Sequence, residues 1–140
     1  MPLIYIIYSN ITSIDWNTTT ADKSAGFTLS ATLRFNEAVD VVTTGGTPTL
    51  SVTNGNQGSG TGRGPHNLPY ASGTGTNELT FTLAIAAANA ATDADDVLSI
   101  GANAVALNGG TIKDTGTSTV STITSVAGIG TAAGTITVVA

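Results

Sequence analysis

Alternation of apolar and polar residues along the chain predicts β-strands. Between residues 27 and 35, in the sequence FTLSATLRF, every second side chain is apolar and those between are polar. A period of two places the apolar side chains on one face of a strand and does not suit an amphipathic helix. The segment 78–85, ELTFTLAI, repeats the pattern, and we predict that it pairs with a short strand at 68–72.

Further strands are predicted at 11–16, 39–42, 49–53, 97–100, 104–107, 111–113, 119–126 and 134–139. Residues 36–38 are expected to form a bulge or a turn, and residues 86–94 a loop. Turn signals recur about every 8–12 residues, which is typical of β-sandwiches. The predicted fold class is therefore all-β, an antiparallel sandwich without a long helix.

The N-terminal segment has a different pattern, because residues 3–8, LIYIIY, are apolar on both faces of the predicted strand. One face would carry Leu3, Tyr5 and Ile7, and the other Ile4, Ile6 and Tyr8. An apolar strand left as a free edge would promote aggregation. We therefore predict that these six side chains contact a partner subunit by strand addition. A chain without residues 1–10 should then fold as a monomer and assemble less well.

Composition restricts the classes of partner. The 140 residues suffice for one domain, and they contain no cysteine and thus no disulfide. Four basic residues against nine acidic ones give a net charge of −5, which argues against nucleic acid as a partner. No apolar run approaches the roughly 20 residues of a membrane span. The chain starts at Met1 without a secretory signal pattern, so we expect a cytoplasmic product or one module of a longer protein.

An acidic cluster and a single histidine are the candidates for chemistry. Asp93, Asp95 and Asp96 suggest either a Ca²⁺ site or a solvated loop. They lack the spacing of a calcium loop, so we favour the solvated loop. His66 lies in the Gly-rich segment 54–67, which we expect to be a long, exposed hairpin loop. Whether that loop binds anything remains open.

His66 has no cysteine or second histidine to act with, and no serine stands in a Gly-x-Ser-x-Gly motif. The glycines at 58–64 lack the Lys-Ser/Thr ending of a phosphate-binding loop. We therefore predict no enzyme, no metal and no cofactor. Tyr5, Tyr8 and Trp16 suggest either a carbohydrate platform or packing against a partner, and we favour packing.

Four ordered motifs resemble a known family. They are Phe35-Asn-Glu-Ala-Val39, Gly46-Thr-Pro-Thr-Leu50, Tyr70-Ala-Ser-Gly-Thr-Gly75 and Leu107-Asn-Gly-Gly-Thr-Ile-Lys-Asp114. Residues 11–118 thereby resemble the bacterial Ig-like domains that are repeated in large surface adhesins and are also found in phage virion proteins. The chain departs from the family where Thr115 and Gly116 stand in place of the usual Gly-Asn pair. The resemblance implies an Ig-like β-sandwich at 11–118, preceded by an arm at 1–10. Residues 119–140 would add strands to the sandwich or to a neighbour.

These observations favour a structural protein of a phage virion. We expect a capsid decoration or cement protein that forms a homo-oligomer, with a trimer as our prediction. Its other partner would be a major capsid protein or another virion protein, and its location the capsid surface. The alternative is an adhesion or stalk module of a large secreted bacterial surface protein, located outside the cell. Neither function requires nucleic acid or a membrane.

Overall fold

A computed structural model describes residues 8–55, 65–88 and 92–140 and shows an all-β fold. The elements are β1 (Ile11–Trp16), β2 (Ala21–Asp22), β3 (Phe27–Val42), β4 (Thr49–Gly55), β5 (His66–Ser72), β6 (Thr76–Ile85), β7 (Val97–Ser99), β8 (Val105–Ala106), β9 (Thr111–Asp114), α1 (Ala127–Thr131) and β10 (Ile136–Val139).

The strands form one curled, open sheet. Its order is β1-β3-β6-β5-β4-β7-β10-β2, with β8 added to β4 and β9 added to β3. The pairs are antiparallel except for β10 with β2, which run parallel. The predicted all-β class is confirmed.

The pair β3–β6 is the longest pairing in the sheet and confirms the alternating pattern. It runs without interruption from Phe27 opposite Ile85 to Arg34 opposite Glu78. The predicted pairing of β5 with β6 is also present, with Tyr70 opposite Phe81. Their rings meet edge to face with centroids 6.0 Å apart, a favourable aromatic geometry.

Strand β3 continues through the segment where we expected a bulge or a turn. The register on β6 shifts between Arg34 and Val39, and beyond the shift Val39–Val42 pairs with β9. Such an irregularity bends the strand and lets its second half take a new partner. The two predicted strands are thus one strand of 16 residues with a bulge.

Strand β5 changes partner along its length. His66–Pro69 pairs with β4, whereas Tyr70 and Ser72 pair with β6. Strand β4 does the same, because Thr53–Gly55 leaves β5 and pairs with β7. The sheet therefore turns a corner at these two strands and encloses a single core.

The core is apolar, and strands along the whole length of the curled sheet, from β1 to β2, contribute side chains to it. Twenty buried apolar residues form it. They are Ile11, Ile14, Ala21, Leu29, Ala31, Leu33, Phe35, Val39, Leu50, Val52, Leu68, Leu79, Phe81, Ile85, Leu98, Ile100, Ala104, Val105, Ile112 and Val138.

Two motifs of the resemblance meet at a close backbone contact. A Cβ on Gly46 would lie 1.8 Å from the carbonyl oxygen of Asn108, and Gly46 has φ of +157°. A Cβ on Gly110 would lie 2.4 Å from the carbonyl oxygen of Gly46. Only glycine fits such an approach. The Gly-Thr-Pro and Asn-Gly-Gly turns therefore depend on each other.

Two predictions are wrong, the loop at 54–67 and the strand at 119–126. The segment 54–67 is not entirely a loop, because β4 extends to Gly55 and β5 begins at His66. Residues 119–126 do not form a strand, since pairing there is limited to single bridges at Val120 and Thr122. The five-residue helix α1 follows, between the segments 119–126 and 134–139. The last strand, predicted at 134–139, is present but begins two residues later, at Ile136.

Candidate functional site

The predicted partner-contact segment meets the folded domain at Tyr8. Leu3, Ile4, Tyr5, Ile6 and Ile7 lie outside the described residues. Tyr8 lies within them and is 50% exposed. We call Tyr8, Ser9 and Asn10 the arm root, because the predicted arm continues from them toward the N-terminus.

Ser9 fixes the arm root from inside the protein. It is fully buried, and its backbone N–H donates to Oδ1 of Asp114 at 2.9 Å. Its hydroxyl also hydrogen-bonds to Oδ1 of Asp114 and to Oγ of Ser121. We call Ser9, Asp114 and Ser121 the serine–aspartate cluster. Buried polar groups are stable only when their hydrogen bonds are satisfied, so these three residues hold one another in place.

Asn36 fixes the arm root from the side of β3. The backbone N–H of Asn10 donates to Oδ1 of Asn36 at 2.8 Å, and the N–H of Asn36 donates to the carbonyl of Asn10 at 3.2 Å. The Asn36 amide also donates to the carbonyl of Tyr8 at 3.3 Å. Asn36 lies within the register shift of β3. The bulge therefore provides a polar group that pairs with the incoming chain.

A short parallel pairing holds the other side of the arm root. The N–H of Thr122 donates to the carbonyl of Ser9 at 2.8 Å, and Asn10 bridges Thr122 in parallel. In this register Ser9 and Ser121 both point inward. Val120, two residues before Thr122, bridges Lys113 and is 62% exposed. Tyr8 and Val120 are thus two exposed apolar side chains on the two segments that meet at the arm root.

Sequence patterns did not identify the serine–aspartate cluster as a site. One signal was present, because Asp114 follows the inward-facing Ile112 by two residues in β9 and so shares its face. An acidic residue on the buried face of a strand requires a hydrogen-bonding partner. The sequence contains no indication that the partner is Ser9.

We predicted that His66 lies in an exposed loop, and this is wrong, because His66 is buried with 5% exposure. It begins β5 two residues before the buried Leu68, so the strand directs both side chains inward. Its Nε2 lies 3.2 Å from Nδ2 of Asn54 on β4. The same Nδ2 donates to Oδ2 of Asp96 at 2.9 Å. We call Asn54, His66 and Asp96 the histidine cluster.

The acidic segment is also different from the predicted solvated loop. Asp96 is fully buried, and its Oδ2 accepts a second hydrogen bond from the N–H of Asp93 at 2.8 Å. Asp95 is exposed, with a φ of 74°. Within the described ranges, His, Cys, Asp and Glu side chains form no group of three or more that could hold a metal ion. Asp96 therefore serves to organise the turn at 93–96.

The surroundings of His66 shift its pKa. Burial disfavours the charged imidazolium and lowers the pKa of His66 below 6.5, and the negative charge of Asp96 opposes this shift. Burial is the larger of the two effects. His66 is therefore neutral in the folded protein at pH 7.

Tyr8 and Trp16 do not form one aromatic platform. Trp16 is the last residue of β1 and Tyr8 lies three residues before its first, Ile11, so the length of the strand, roughly 17 Å at 3.3 Å per residue, stands between them. The indole N–H of Trp16 donates to the carbonyl of Gly134 at 3.1 Å, and the ring packs against the core. Trp16 therefore has a structural role, and Tyr5 lies outside the described residues.

A shallow groove of about 350 Å³ lies between residues 102–103 and 124–127. Asn103 and Ser125 close its floor through two hydrogen bonds: Asn103 N–H to the Ser125 carbonyl at 2.9 Å, and Ser125 N–H to Oδ1 of Asn103 at 3.0 Å. Its lining residues are uncharged. The groove therefore offers no charge with which to select a ligand.

Comparisons with protein-family models, with curated proteins and with solved structures found no match for this chain. Among the described residues, no helix combines the length and hydropathy needed to cross a membrane. The hydrogen bonds at the arm root fix the positions of Tyr8, Ser9 and Asn10 on the folded domain.

Proposed function

We propose that this chain is a non-enzymatic structural protein of a phage virion, a decoration or cement protein on the capsid surface. It would assemble as a homo-oligomer, with a trimer as the proposed form, and bind a major capsid protein or another virion protein. The bound surface would be made by Leu3, Ile4, Tyr5, Ile6, Ile7 and Tyr8, which add a strand to a neighbouring subunit.

The observation that carries this proposal is the fixed arm root. Tyr8, Ser9 and Asn10 are held on one side by Asn36 and on the other by Thr122. A segment with apolar residues on both faces continues from this point. Anchoring one end of such a segment lowers the entropy that is lost when it pairs with a neighbour. The exposed side chains of Tyr8 and Val120 extend the apolar surface onto the folded domain.

The low charge of the chain supports packing beside many copies of itself. Only 9% of its residues are charged, so adjacent subunits would repel one another weakly. Decoration of a shell depends on many modest contacts that act together, and such multivalent binding raises the overall affinity without any single strong contact.

We further propose that the curled sheet is a variant of the Ig-like β-sandwich. Two observations support this. The strand order β1-β3-β6-β5 places the first, third, sixth and fifth strands side by side in antiparallel pairs. The close contact of Gly46 with Asn108 also explains why both motifs contain glycine, since the two turns pack backbone against backbone.

Assembly is tested by size-exclusion chromatography with light scattering on the full chain and on a chain that begins at Tyr8. The deletion is limited to residues 1–7, since removing Ser9 would deprive Oδ1 of buried Asp114 of the two hydrogen bonds that Ser9 donates. We expect the full chain to have a multiple of the monomer mass and the truncated chain to be a folded monomer. Equal masses for the two would refute assembly through the arm.

Two matched variants test whether both faces of the arm are covered. One replaces Leu3, Tyr5 and Ile7 with threonine, and the other replaces Ile4 and Ile6 with threonine. Threonine keeps the strand propensity and removes apolar area. Both variants should dissociate at higher protein concentration than the full chain. If only one does so, a single face is buried.

The virion assignment is tested on the reading frame and on particles. Location of the frame beside capsid genes, together with co-sedimentation of the purified chain with shells of the same phage, is the expected outcome. A frame that continues into further copies of the Phe-x-x-Ala-Val and Gly-Thr-Pro-Thr-Leu motifs would instead indicate an adhesion or stalk module.

A further inference from the structure

The hydrogen bonds of the histidine cluster determine its protonation state. The carboxylate of Asp96 only accepts hydrogen bonds, so the group of Asn54 that faces it must be the NH₂. The same NH₂ faces Nε2 of His66. That nitrogen must therefore accept, and the ring proton of the neutral histidine is on Nδ1.

Asp96 connects this cluster to the last strand. Its Oδ2 closes the turn by accepting the N–H of Asp93, while its backbone carbonyl accepts the N–H of Val138 at 2.8 Å. The N–H of Asp95 donates to the carbonyl of Val138, also at 2.8 Å. The 93–96 turn thus holds β10 by two backbone hydrogen bonds, and Asn54 holds the turn to β4.

We propose that the histidine cluster is a pH-sensitive contact, in which proton uptake by His66 loosens the 93–96 turn and its hold on β10. A proton on Nε2 would place an N–H against the NH₂ of Asn54. The amide would have to rotate to offer its oxygen to the ring. Rotation directs that oxygen at Asp96 and removes the donor that Asp96 had from β4.

Asp96 has no other side-chain donor in the described part of the chain. Its Oδ1 hydrogen-bonds to none of the described residues, and its remaining donor is the N–H of Asp93 in the same turn. Losing the Asn54 donor leaves a buried carboxylate held by one hydrogen bond, which is costly. Opening of the turn relieves that cost by admitting water.

The direction of the pH response follows from the charges near the ring. Among the charged groups of the described residues, Asp96 is the one whose field acts on His66, and it favours the imidazolium. Burial acts against the imidazolium and is the larger effect. The closed cluster therefore resists protonation, and acidification below pH 6.5 favours the open turn by at most about tenfold per pH unit.

The test uses the full chain and NMR, because His66 is the only histidine and gives a single set of ring signals. We expect a ring pKa below 6.5, and amide signals of Asp93, Asp96 and Val138 that shift with the same midpoint. Protection of the Val138 amide from hydrogen exchange should fall over the same pH range. A ring pKa above 6.5, or a Val138 signal that ignores the ring titration, would overturn the proposal.

Two variants separate His66 from the carboxylates. His66→Gln keeps an acceptor for Asn54 but cannot take up a proton at this pH, so Val138 protection should become constant between pH 7 and pH 5. Asp96→Asn removes the charge that favours the imidazolium, so the ring pKa should fall further. A rise in the ring pKa of Asp96→Asn, or an unchanged Val138 response in His66→Gln, would contradict the proposed coupling. Should either variant fail to fold, the titration of the unmodified chain still decides.

Discussion

Two buried polar clusters join distant parts of this chain, and they differ in chemistry. The serine–aspartate cluster connects Ser9 to Asp114, 105 positions away, through hydroxyl and backbone donors. The histidine cluster connects Asn54 to Asp96, 42 positions away, through one side-chain amide shared with an imidazole. Each one places a carboxylate inside the protein, so each depends on its donors.

The difference lies in what can change the donors. Hydroxyl and backbone N–H groups keep their protons throughout the physiological pH range, whereas an imidazole gains a proton in mild acid. The serine–aspartate cluster therefore gives the arm root a constant position. The histidine cluster makes the contact between β4 and the 93–96 turn dependent on pH. The predictions below separate these two roles.

Asp114→Ala should have the largest effect on stability. It removes the acceptor of two hydrogen bonds from buried Ser9, at a cost of about 3 kcal/mol in the free energy of unfolding. Chemical denaturation measures the loss. Asp40→Ala is the matched control, because Asp40 on the neighbouring β3 is exposed and accepts its hydrogen bond from Thr115 at the surface, so its removal should change stability little. Equal losses for the two variants would show that the cluster contributes nothing specific.

Asn54→Ala should rank second, with a loss of about 2 kcal/mol, because Asp96 then keeps only one of its donors and Nε2 of His66 loses the amide that donates to it. Denaturation at pH 8 measures this loss without protonation of His66. Asn67→Ala provides the comparison from an exposed position on β5. A smaller loss for Asn54→Ala than for Asn67→Ala would mean that the shared amide has no structural role.

Ser9→Ala should cost about 1 kcal/mol, since the backbone N–H of residue 9 still donates to Asp114 after the hydroxyl is gone. The loss should be independent of pH between 8 and 5.5. A loss of stability that grows with acidification would show that the serine–aspartate cluster is itself sensitive to pH, contrary to the comparison above.

The smallest of these effects should be the change in stability of the unmodified chain with pH, which begins near pH 6.5. The folded state holds the pKa of His66 below the unfolded value of 6.5, so stability is complete above pH 6.5 and decreases as pH falls toward the folded pKa. Thermal unfolding at pH 8, 6.5 and 5.5 measures it. His66→Gln should remove this slope, and a stability that rises on acidification would reverse the sign of the argument.

Much of the fold follows from the alternation of residue types. Leu29, Leu33 and Phe81 are buried as the period of two predicts. If the alternation is extended by two residues beyond the apolar positions, it also places the buried polar residues on the inner face. Asn54 follows Leu50 and Val52 on the inner face of β4, and His66 precedes Leu68 on the inner face of β5. The sequence pattern favours a loop at both positions, because glycines follow Asn54 and precede His66.

The partners of these residues could not be predicted from the sequence. Alternation shows which face a side chain occupies, but it does not show which distant strand lies across the core. The segment 119–126 illustrates a second limit. Its pattern of valine, isoleucine and threonine is typical of a strand, yet tertiary contacts give it only single bridges to Lys113 and Asn10. Strand propensity depends strongly on such context.

The long separation between Ser9 and Asp114 has a consequence for the order of folding. Contacts between residues far apart in sequence pay a large loop-closure entropy and tend to form after local pairs such as β5–β6. We expect the arm root to dock late, after the transition state, so that weakening it accelerates unfolding and leaves the folding rate nearly unchanged. An incomplete chain on the ribosome lacks Asp114 and Ser121 and cannot position its arm. The residues proposed to join subunits would then be presented correctly only by a finished domain.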